Sequence, residues 1–193
     1  RKNRMKILLI IPAYNEENCI TKVIDELVER YPQYDYIIVN DGSTDHTSEI
    51  CHKSGYEIID LPINLGLAGA FQTGLKYAYL KNYDYAMQMD ADGQHLPEYI
   101  EALIKKINEG YDIVIGSRFV TEKKPKSMRM LGSNMISWAI HMTTGVRVMD
   151  PTSGMRIFNR NMIKEFASNI NYGPEPDTIS FLLKQGAKIG EVQ

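Results

Sequence analysis

The sequence predicts an α/β fold with a mostly parallel central sheet and helices on both faces. Short apolar runs with the length of buried strands alternate with segments whose apolar residues recur at helical spacing. The first run is continuous and ends at a proline, as expected of a parallel strand that is covered on both sides. Alternating strands and helices form parallel sheets through right-handed crossovers. With 193 residues and 44% hydrophobic composition, the chain is expected to form one domain, residues 1–193, around a sizeable core.

Each predicted strand is a short, mainly apolar segment. In chain order the strands cover residues 6–12, 36–39, 57–60, 85–89, 112–116 and 155–158. The predicted helices show apolar residues at i, i+3, i+4 and i+7, or begin at a capping residue or a proline. They cover residues 20–28, from Ser43 or Thr44 to about 54, from a glycine-rich stretch at 64–70 to about 80, 97–107 and 128–144. A last helix begins with residues 179–183 and is closed by Gly186. Residues 191–193 look like a further strand that stops midway, so the natural chain is expected to continue beyond residue 193.

The composition argues against several classes of protein. The net charge of −2 and the pI near 6.1 argue against a nucleic-acid-binding protein, which normally carries a basic face. The two cysteines, Cys19 and Cys51, lack the spacing of a zinc site and are expected to be reduced, as in the cytoplasm. No apolar run reaches the roughly 18 residues needed to cross a bilayer, and the N-terminus lacks a signal-peptide pattern. These 193 residues are therefore expected to be soluble.

Two carboxylates, Asp90 and Asp92, come directly after the buried strand 85–89. Gly93 allows the backbone to turn tightly there. Oxygen ligands of this kind suit Mg²⁺ or Mn²⁺, which bind one or two protein carboxylates and complete their shell with water and substrate phosphates. Gln94 can add a carbonyl oxygen. A polar turn without a metal uses the same residue types, so the local pattern leaves both interpretations open.

Other polar residues are predicted to meet this acidic pair. In a parallel sheet the carboxyl ends of the first, second and fourth strands share one edge, where open α/β sheets bind their ligands. Tyr14, Glu16 and Asp41 are therefore expected near Asp90 and Asp92. A crevice this acidic suits phosphates only if a divalent cation lies between the carboxylates and the phosphates. Asp41 has a second interpretation, an Asx turn that caps the following helix.

Two arginines are candidates for contact with phosphate. Arg118, after Gly116 and Ser117, can clamp a phosphate or can be an ordinary solvated arginine at a strand end. Arg156 lies within a predicted strand, where a structural ion pair is the alternative. Neither a Gly-x-Gly-x-x-Gly sequence nor a Walker motif follows the first strand, which argues against a dinucleotide fold of the usual type.

The predicted helix 128–144 follows a polar, lysine-rich loop at 121–127 and is rich in methionine. Filling of irregular gaps in the core is the simpler interpretation of these side chains, because flexible methionine commonly fills such gaps. The alternative is an adaptable surface for an apolar acceptor.

Several motifs occur along the chain in a definite order and spacing. They are Ile11-Pro12-Ala13-Tyr14-Asn15-Glu16, Asn40-Asp41-Gly42-Ser43-Thr44-Asp45, Asn64-x-Gly66 and Asp90-Ala91-Asp92-Gly93-Gln94-His95. Together they resemble glycosyltransferase family 2, which has the Rossmann-like GT-A fold of nucleotide-diphospho-sugar transferases. The resemblance covers nearly the whole chain. Gly116-Ser117-Arg118 and the motif from Asp150 to Arg156 further resemble the polyprenyl-phosphate glycosyltransferases, the group that contains dolichyl-phosphate mannosyltransferase.

The resemblance implies roles for these residues. Those on the nucleotide-sugar side are Pro12, Ala13, Tyr14, Glu16, Asp41, Asn64, Gly66 and Asp90. The metal on the diphosphate would be held by Asp90, Asp92 and Gln94. The candidate catalytic residues are Asp92, Arg118 near the phosphates, and Asp177 on the acceptor side. Glu175 is the alternative to Asp177, because the stretch 173–177 leaves open which acid aligns. The nucleotide-binding part would span about 1–118 and the acceptor-side part about 119–193.

The implied activity is a metal-dependent, inverting transfer of a sugar from a UDP- or GDP-sugar to a polyprenyl phosphate. The chain is expected in the cytoplasm at the inner face of the membrane, with membrane-surface association and a homo-oligomer both open. The main alternative is transfer to a saccharide hydroxyl in polysaccharide synthesis. A non-catalytic nucleotide-sugar-binding subunit would show a broken acidic pair, whereas both acids are present. A nucleotidyltransferase on a similar sheet would release pyrophosphate.

Overall fold

The computed structural model describes residues 5–89, 98–117, 128–151, 153–168 and 176–192. The strands within them are β1 (Ile7–Ala13), β2 (Asp35–Asn40), β3 (Ile58–Asp60), β4 (Tyr85–Gln88), β5 (Ile113–Gly116), β6 (Arg156–Asn159) and β7 (Ile189–Val192). The helices are α1 (Ile20–Arg30), α2 (Thr47–Lys53), α3 (Gly66–Leu80), α4 (Glu98–Ile107), α5 (Met128–Thr144), α6 (Arg160–Ser168) and α7 (Pro176–Lys184). Every predicted strand and helix is present, with ends that differ by a few residues.

The strands form a seven-stranded sheet in the order β3-β2-β1-β4-β6-β5-β7. All neighbouring strands are parallel except β6, which runs antiparallel between β4 and β5. The predicted, mostly parallel sheet is therefore confirmed. The carboxyl ends of the parallel strands share one edge, which we call the carboxyl edge. Because β6 is antiparallel, its first residue, Arg156, lies at this edge beside Gln88 of β4 and Ile115 of β5.

Helices cover both faces of the sheet, and each face has its own apolar core. Alternate residues of a strand point to opposite faces, so Leu8 and Ile10 enter one core while Leu9 and Ile11 enter the other. The first core includes residues of α3, α5, α6 and α7, and the second includes residues of α1, α2 and α4. The predicted arrangement of helices on both faces is thus confirmed.

Helix α3 packs very closely on the sheet at Gly74. A Cβ atom at this position would lie 2.2 Å from the side chain of Ile10, so only glycine allows the approach. Phe71 of α3 packs on Phe158 of β6 with ring centroids 5.5 Å apart, and Phe158 meets the ring of Phe166 edge-on at 5.4 Å. These contacts fix the position of α3, whose amino end reaches the carboxyl edge.

Helix α6 follows β6 directly and is not among the helices predicted from the sequence. The side-chain oxygen of Asn159 accepts the N–H of Met162 at 3.0 Å, as an N-cap residue does. Ile163 and Phe166 are buried at helical spacing. The sequence therefore contains a signal for α6, but the signal spans little more than two turns and directly continues the apolar run of β6.

The predicted cap of the second helix is wrong. Helix α2 begins at Thr47, so Ser43 and Thr44 lie too early in the chain to cap it. His46 occupies the N-cap position, and its side chain makes no capping hydrogen bond. Asp45, one residue earlier, accepts the N–H of Thr47 on its Oδ1 at 2.9 Å. The hydroxyl of Ser43 instead accepts the N–H of Asn15 at 3.0 Å, which ties the loop after β2 to the loop after β1.

Candidate functional site

The loops after β1 and β2 begin side by side at the carboxyl edge. Ala13, the last residue of β1, is paired with Asn40, the last residue of β2. The carbonyl oxygen of Ala13 accepts the N–H of Asp41 at 2.8 Å. Tyr14 and Asp41 therefore leave the sheet at the same place, although Tyr14 is 47% exposed and Asp41 only 4%.

Asp41 connects the end of β2 to the start of α3. Its Oδ1 accepts the N–H of Leu65 at 2.7 Å. Gly42 has a φ of +67° and lies so close to the chain before α3 that a Cβ would be 2.8 Å from the backbone nitrogen of Asn64. The described side-chain hydrogen bond of Asp41 thus holds the loop before α3. The side chain of Asp41 does not cap α2, so the Asx turn given above as its second interpretation is not observed.

Hydrogen bonds between side chains and backbone hold the β1 loop against the β2 loop. Asn15 has a φ of +57°, and its Oδ1 accepts the N–H of Thr44 at 2.9 Å. The N–H of Glu16 donates to the hydroxyl of Thr47 at 2.8 Å, and this hydroxyl donates to Oδ1 of Asp45 at 2.6 Å. The position of the β1 loop is therefore set by residues of the β2 loop.

The same two loops contain titratable groups with shifted pKa values. Burial by itself would raise the pKa of the Asp45 carboxyl, but hydrogen bonds from Thr47 and from the N–H of Glu17 lower it below the usual 3.8. The N–H and the imidazole of His46 bind the Glu17 carboxylate at 3.0 and 2.9 Å, which lowers the pKa of Glu17 and raises that of His46. Sequence reasoning missed the contacts of Glu17 with Asp45 and His46 because Glu17 lies in a different segment of the chain.

The structure brings together the described residues of the predicted nucleotide-sugar site. They are Pro12, Ala13, Tyr14, Glu16, Asp41, Asn64 and Gly66. All of them lie at the end of β1, in the loops after β1 and β2, or at the start of α3. These segments meet at the carboxyl edge. Tyr14 and Asn64 are exposed there, whereas Ala13 and Asp41 are buried. The predicted proximity of Tyr14, Glu16 and Asp41 is therefore observed, and their contact with a nucleoside stays a prediction.

The predicted metal ligands follow the end of β4. The N–H of Met89 donates to the carbonyl of Ile10 at 2.9 Å, so the chain leaves the sheet beside β1 at the carboxyl edge. Asp90, Asp92 and Gln94 lie outside the described residues. Within the described ranges, no group of three or more His, Cys, Asp or Glu could hold a metal. The carboxylate and amide oxygens of the predicted set fit the chemistry of Mg²⁺ or Mn²⁺.

The turn before β6 is bound to the carboxyl edge. The guanidinium of Arg156 donates from Nε to the carbonyl of Ser153 at 2.9 Å and from Nη2 to the carbonyl of Pro151 at 2.7 Å. The hydroxyl of Ser153 donates to the carbonyl of Gly116, the last residue of β5. These bonds to the backbone shape the turn around Arg156, which is 6% exposed. Arg118, the other candidate for phosphate contact, lies outside the described residues.

Glu191 of β7 holds the chain that leads into this turn. Its two carboxylate oxygens accept the N–H of Met149 at 2.7 Å and the N–H of Asp150 at 2.8 Å. The next residue, Val192, accepts the N–H of Ser117 at 2.7 Å. Glu191 was missed from the sequence because its partners lie 42 and 41 residues earlier in the chain.

Asp177, the predicted acceptor-side carboxylate, lies in the first turn of α7 and is exposed. A carboxylate at this place interacts favourably with the helix dipole, so it has a structural role that requires no substrate. Glu175, the alternative acid, lies outside the described residues.

The methionine-rich helix α5 lies beside α7, with the hydroxyls of Thr143 and Ser180 3.2 Å apart. Met135 and Met142 are 67% and 65% exposed. Core filling, the simpler interpretation of the methionines, is therefore wrong for these two. No helix in the described part of the chain combines the length and the apolar character needed to cross a bilayer.

The chain is similar in sequence to known transferases. The profile of Glycosyl transferase family 2 matches residues 8–167. A UDP-N-acetylglucosamine–dolichyl-phosphate N-acetylglucosaminyltransferase of Methanococcus voltae is 33% identical over 210 residues, covering 96% of this chain and 83% of that protein. An undecaprenyl-phosphate mannosyltransferase of Micrococcus luteus is 29% identical over 205 residues, covering 97% of this chain and 82% of that protein.

The chain is also similar in fold to solved structures. One is glucosyl-3-phosphoglycerate synthase from Mycobacterium tuberculosis in complex with Mn²⁺, UDP and glucosyl-3-phosphoglycerate. It matches with a TM-score of 0.68 and 22% identity, covering 97% of this chain and 69% of that one. At this identity the similarity concerns the fold, and it agrees with the GT-A fold predicted from the motifs.

Proposed function

This chain belongs to glycosyltransferase family 2, and on that premise we propose that it transfers a sugar from a nucleoside diphosphate to a polyprenyl phosphate. Binding of the sugar donor is supported by the contacts around Asp41, where the end of β1, the loop after β2 and the start of α3 meet beside the end of β4. The acceptor half is supported by the two relatives described above, whose names specify dolichyl phosphate and undecaprenyl phosphate.

In the proposed complex the nucleoside binds at the junction around Asp41. One oxygen of this carboxylate accepts the N–H of Leu65, and an ionised carboxylate has about four lone-pair sites. Asp41 therefore retains the capacity to accept a further hydrogen bond from the nucleoside. Tyr14 presents an exposed aromatic ring at the same place, where the flat face of a base can stack.

The diphosphate is proposed to bind with Mg²⁺ or Mn²⁺ held by Asp90, Asp92 and Gln94. A divalent cation there would act as a Lewis acid and stabilise the charge that develops on the leaving diphosphate. Arg118, which follows Ser117 at the end of β5, would add a fixed positive charge near the same phosphates. The solved synthase contains Mn²⁺ together with UDP, which supports a divalent cation in this chain.

Transfer to a phosphate needs no general base. A phosphate oxygen attacks the anomeric carbon, the bond from this carbon to the diphosphate oxygen breaks, and the nucleoside diphosphate leaves with the electron pair. Attack from the opposite side inverts the anomeric configuration. The second pKa of a phosphate monoester is about 6, so the attacking group is already mostly ionised near neutral pH. A saccharide hydroxyl would have to lose a proton during attack, and Asp177 or Glu175 would then have to accept it.

The proposal can be tested by incubating the protein and Mn²⁺ or Mg²⁺ with a panel of UDP- and GDP-sugars, with and without polyprenyl phosphate. We expect one donor to release a nucleoside diphosphate when the lipid phosphate is present, with an equal amount of glycosylated lipid. Asp92→Asn should lose metal-dependent donor binding in calorimetric titration while its circular dichroism spectrum stays unchanged, because Asp92 lies beyond the end of β4.

Other outcomes of this experiment would contradict specific parts of the proposal. Release of pyrophosphate would indicate a nucleotidyltransferase. Transfer to a saccharide alone would overturn the lipid acceptor, and donor binding without any transfer would indicate a binding subunit. Unchanged metal-dependent binding by Asp92→Asn would show that this carboxylate is only a turn residue.

Asp177→Asn distinguishes the two kinds of acceptor. If a phosphate is the nucleophile, turnover at saturating donor should fall by far less than the factor of about 10² to 10⁴ that follows loss of a general base. The same result is expected for Glu175→Gln. A loss of that larger size in either variant, with donor affinity unchanged, would indicate that a hydroxyl is the acceptor.

A further inference from the structure

We propose that Asp60, the last residue of the edge strand β3, positions the β1 and β2 loops for the nucleotide-sugar donor. The carboxylate of Asp60 binds the side-chain amide of Asn40, and this amide binds the backbone of the β2 loop. Asp60 is therefore a positioning residue, which acts through Asn40. Its effect on donor binding rests on the function proposed above, whereas its effect on the loops does not.

Asp60 lies beside the last residue of β2 at the carboxyl edge. Asp60 and Asn40 are register partners in neighbouring parallel strands, and the carbonyl of Asn40 accepts the N–H of Leu61 at 2.9 Å. Oδ1 of Asp60 accepts a hydrogen bond from Nδ2 of Asn40 at 2.7 Å. Asn40 is 3% exposed, whereas the side chain of Asp60 is 37% exposed. A partly exposed carboxylate thus binds a buried amide just before the β2 loop begins.

The carboxylate of Asp60 fixes the direction in which the amide of Asn40 points. An ionised carboxylate only accepts hydrogen bonds, so it binds the NH₂ group of the amide and leaves the amide oxygen to face another donor. This oxygen accepts the N–H of Ser43 at 3.1 Å. In the opposite orientation the amide oxygen would face the carboxylate and the NH₂ group would face the N–H of Ser43, so both hydrogen bonds would be lost. Asp60 therefore determines whether the bond to Ser43 forms.

The orientation of the Asn40 amide reaches the β1 loop through Ser43. The hydroxyl of Ser43 accepts the N–H of Asn15 at 3.0 Å. Asn15 directly follows Tyr14, a residue of the predicted nucleotide-sugar site. Hydrogen bonds in series thus connect Asp60 with the segment that presents the ring of Tyr14.

Two residues of α2 also bind the carboxylate of Asp60. The hydroxyl of Ser48 donates to Oδ1 at 2.8 Å, and Nε2 of His52 lies 2.7 Å from Oδ2. Burial by itself would raise the pKa of the Asp60 carboxyl, but hydrogen bonds from Asn40, His52 and Ser48 lower it below the usual 3.8. Asp60 is therefore ionised near neutral pH. The contacts with α2 provide controls, because each can be removed while the bond to Asn40 is kept.

Hydrogen exchange of single backbone N–H groups, followed by NMR, tests the position of the loops without any nucleotide. Asp60→Ala should accelerate exchange at Ser43 and Asn15 by about fivefold, the factor that corresponds to loss of one typical hydrogen bond. Asp60→Leu, which keeps a larger side chain but no acceptor, should have the same effect. Asp60→Asn keeps an oxygen for the amide of Asn40 and should leave exchange close to unchanged, as should Ser48→Ala. Circular dichroism checks the fold of every variant.

Calorimetric titration with UDP and with GDP, each with Mn²⁺, tests the effect on the donor site. For the nucleotide that the wild-type protein binds, Asp60→Ala should weaken affinity by about fivefold, and Asp60→Asn should restore it to within about twofold. Ser48→Ala and His52→Ala should leave the affinity unchanged, even where urea denaturation shows a lower free energy of unfolding. A residue with a merely structural role would not separate affinity from stability in this way.

Three results would overturn the positioning role of Asp60. The first is unchanged exchange at Ser43 and Asn15 in Asp60→Ala, and the second is unchanged nucleotide affinity in that variant. The third is an equal loss of affinity in Ser48→Ala or His52→Ala, which would make lower stability the common cause. Failure of the wild-type protein to bind either nucleotide would instead contradict the proposed function. Faster exchange in Asp60→Ala, but not in Asp60→Asn, would then still support the control of the loops by Asp60.

Discussion

Asp41 combines a structural hydrogen bond with a position at the proposed nucleoside site. It is 4% exposed, and one carboxylate oxygen accepts the N–H of Leu65 at 2.7 Å. A buried carboxylate requires such partners, because burial without hydrogen bonds disfavours the charged form. Gly42 brings the loop before α3 into contact with this residue, since any side chain there would collide with the backbone at Asn64. A change at Asp41 should therefore affect both folding and binding.

Asp41→Ala is expected to weaken binding of the nucleoside monophosphate in the absence of metal. It should also lower the free energy of unfolding by about 1–3 kcal/mol, because the N–H of Leu65 loses its acceptor. Asp41→Asn, the matched control, keeps an oxygen for Leu65 and should restore most of the stability without restoring binding. Calorimetric titration and urea denaturation measure the two effects. A loss of binding that requires metal would place Asp41 at the cation instead.

At the scale of structural elements, the β1 and β2 loops depend on each other. The N–H groups of Asn15, Glu16 and Glu17 in the β1 loop are accepted by side chains of the β2 loop and of the first residue of α2. These acceptors are Ser43, Thr47 and Asp45, respectively. The geometry of the predicted nucleotide-sugar site therefore depends on the charge of Asp45, which binds Thr47 and the N–H of Glu17. This dependence leads to an expected effect of pH on stability.

The pKa of Asp45 is lower in the folded protein than its usual 3.8. Its hydrogen bonds therefore stabilise the fold above pH 3.8, and this stabilisation is lost as the pH falls through the lower, folded-state pKa. Asp45→Asn should remove this part of the acid-side decrease in unfolding free energy, measured by urea denaturation from about pH 7 to pH 3. Glu29→Gln, on the exposed side of α1, serves as control. The same change of pH profile in both variants would contradict the assignment.

At the scale of the whole molecule, β6 joins segments that are far apart in the chain. It lies after the predicted boundary near residue 118, yet it pairs with β4 and β5, which precede that boundary. Its antiparallel direction places Arg156 and the preceding turn at the carboxyl edge. The turn before β6 and the segments around Asp41 therefore lie at one edge of one sheet. The expectation that the chain forms a single domain stays a prediction.

Much of the fold could be predicted from local patterns. Apolar runs and helical spacing located the strands and all helices except α6, since burial of a strand or a helix face requires these periods in the sequence itself. The motifs also identified Tyr14 and Asp41, which the structure brings to the same edge, because each follows a strand whose end could be recognised. The partners of these residues could not be predicted, as with Asn15 and Ser43 or with Glu191 and Asp150.

Patterns along the chain were sufficient for the fold class and for the residue types available for chemistry, and the resemblance of the motifs to a known family was sufficient for the family. The tertiary structure decided the direction of β6, the exposure of Met135 and Met142, and the role of Asp41 in holding the start of α3. The physical reason is that the direction of a strand and the exposure of a helix side depend on packing between distant segments. An apolar run has the same pattern in either direction, and a methionine has the same local signal whether it meets a core or the outside of the protein.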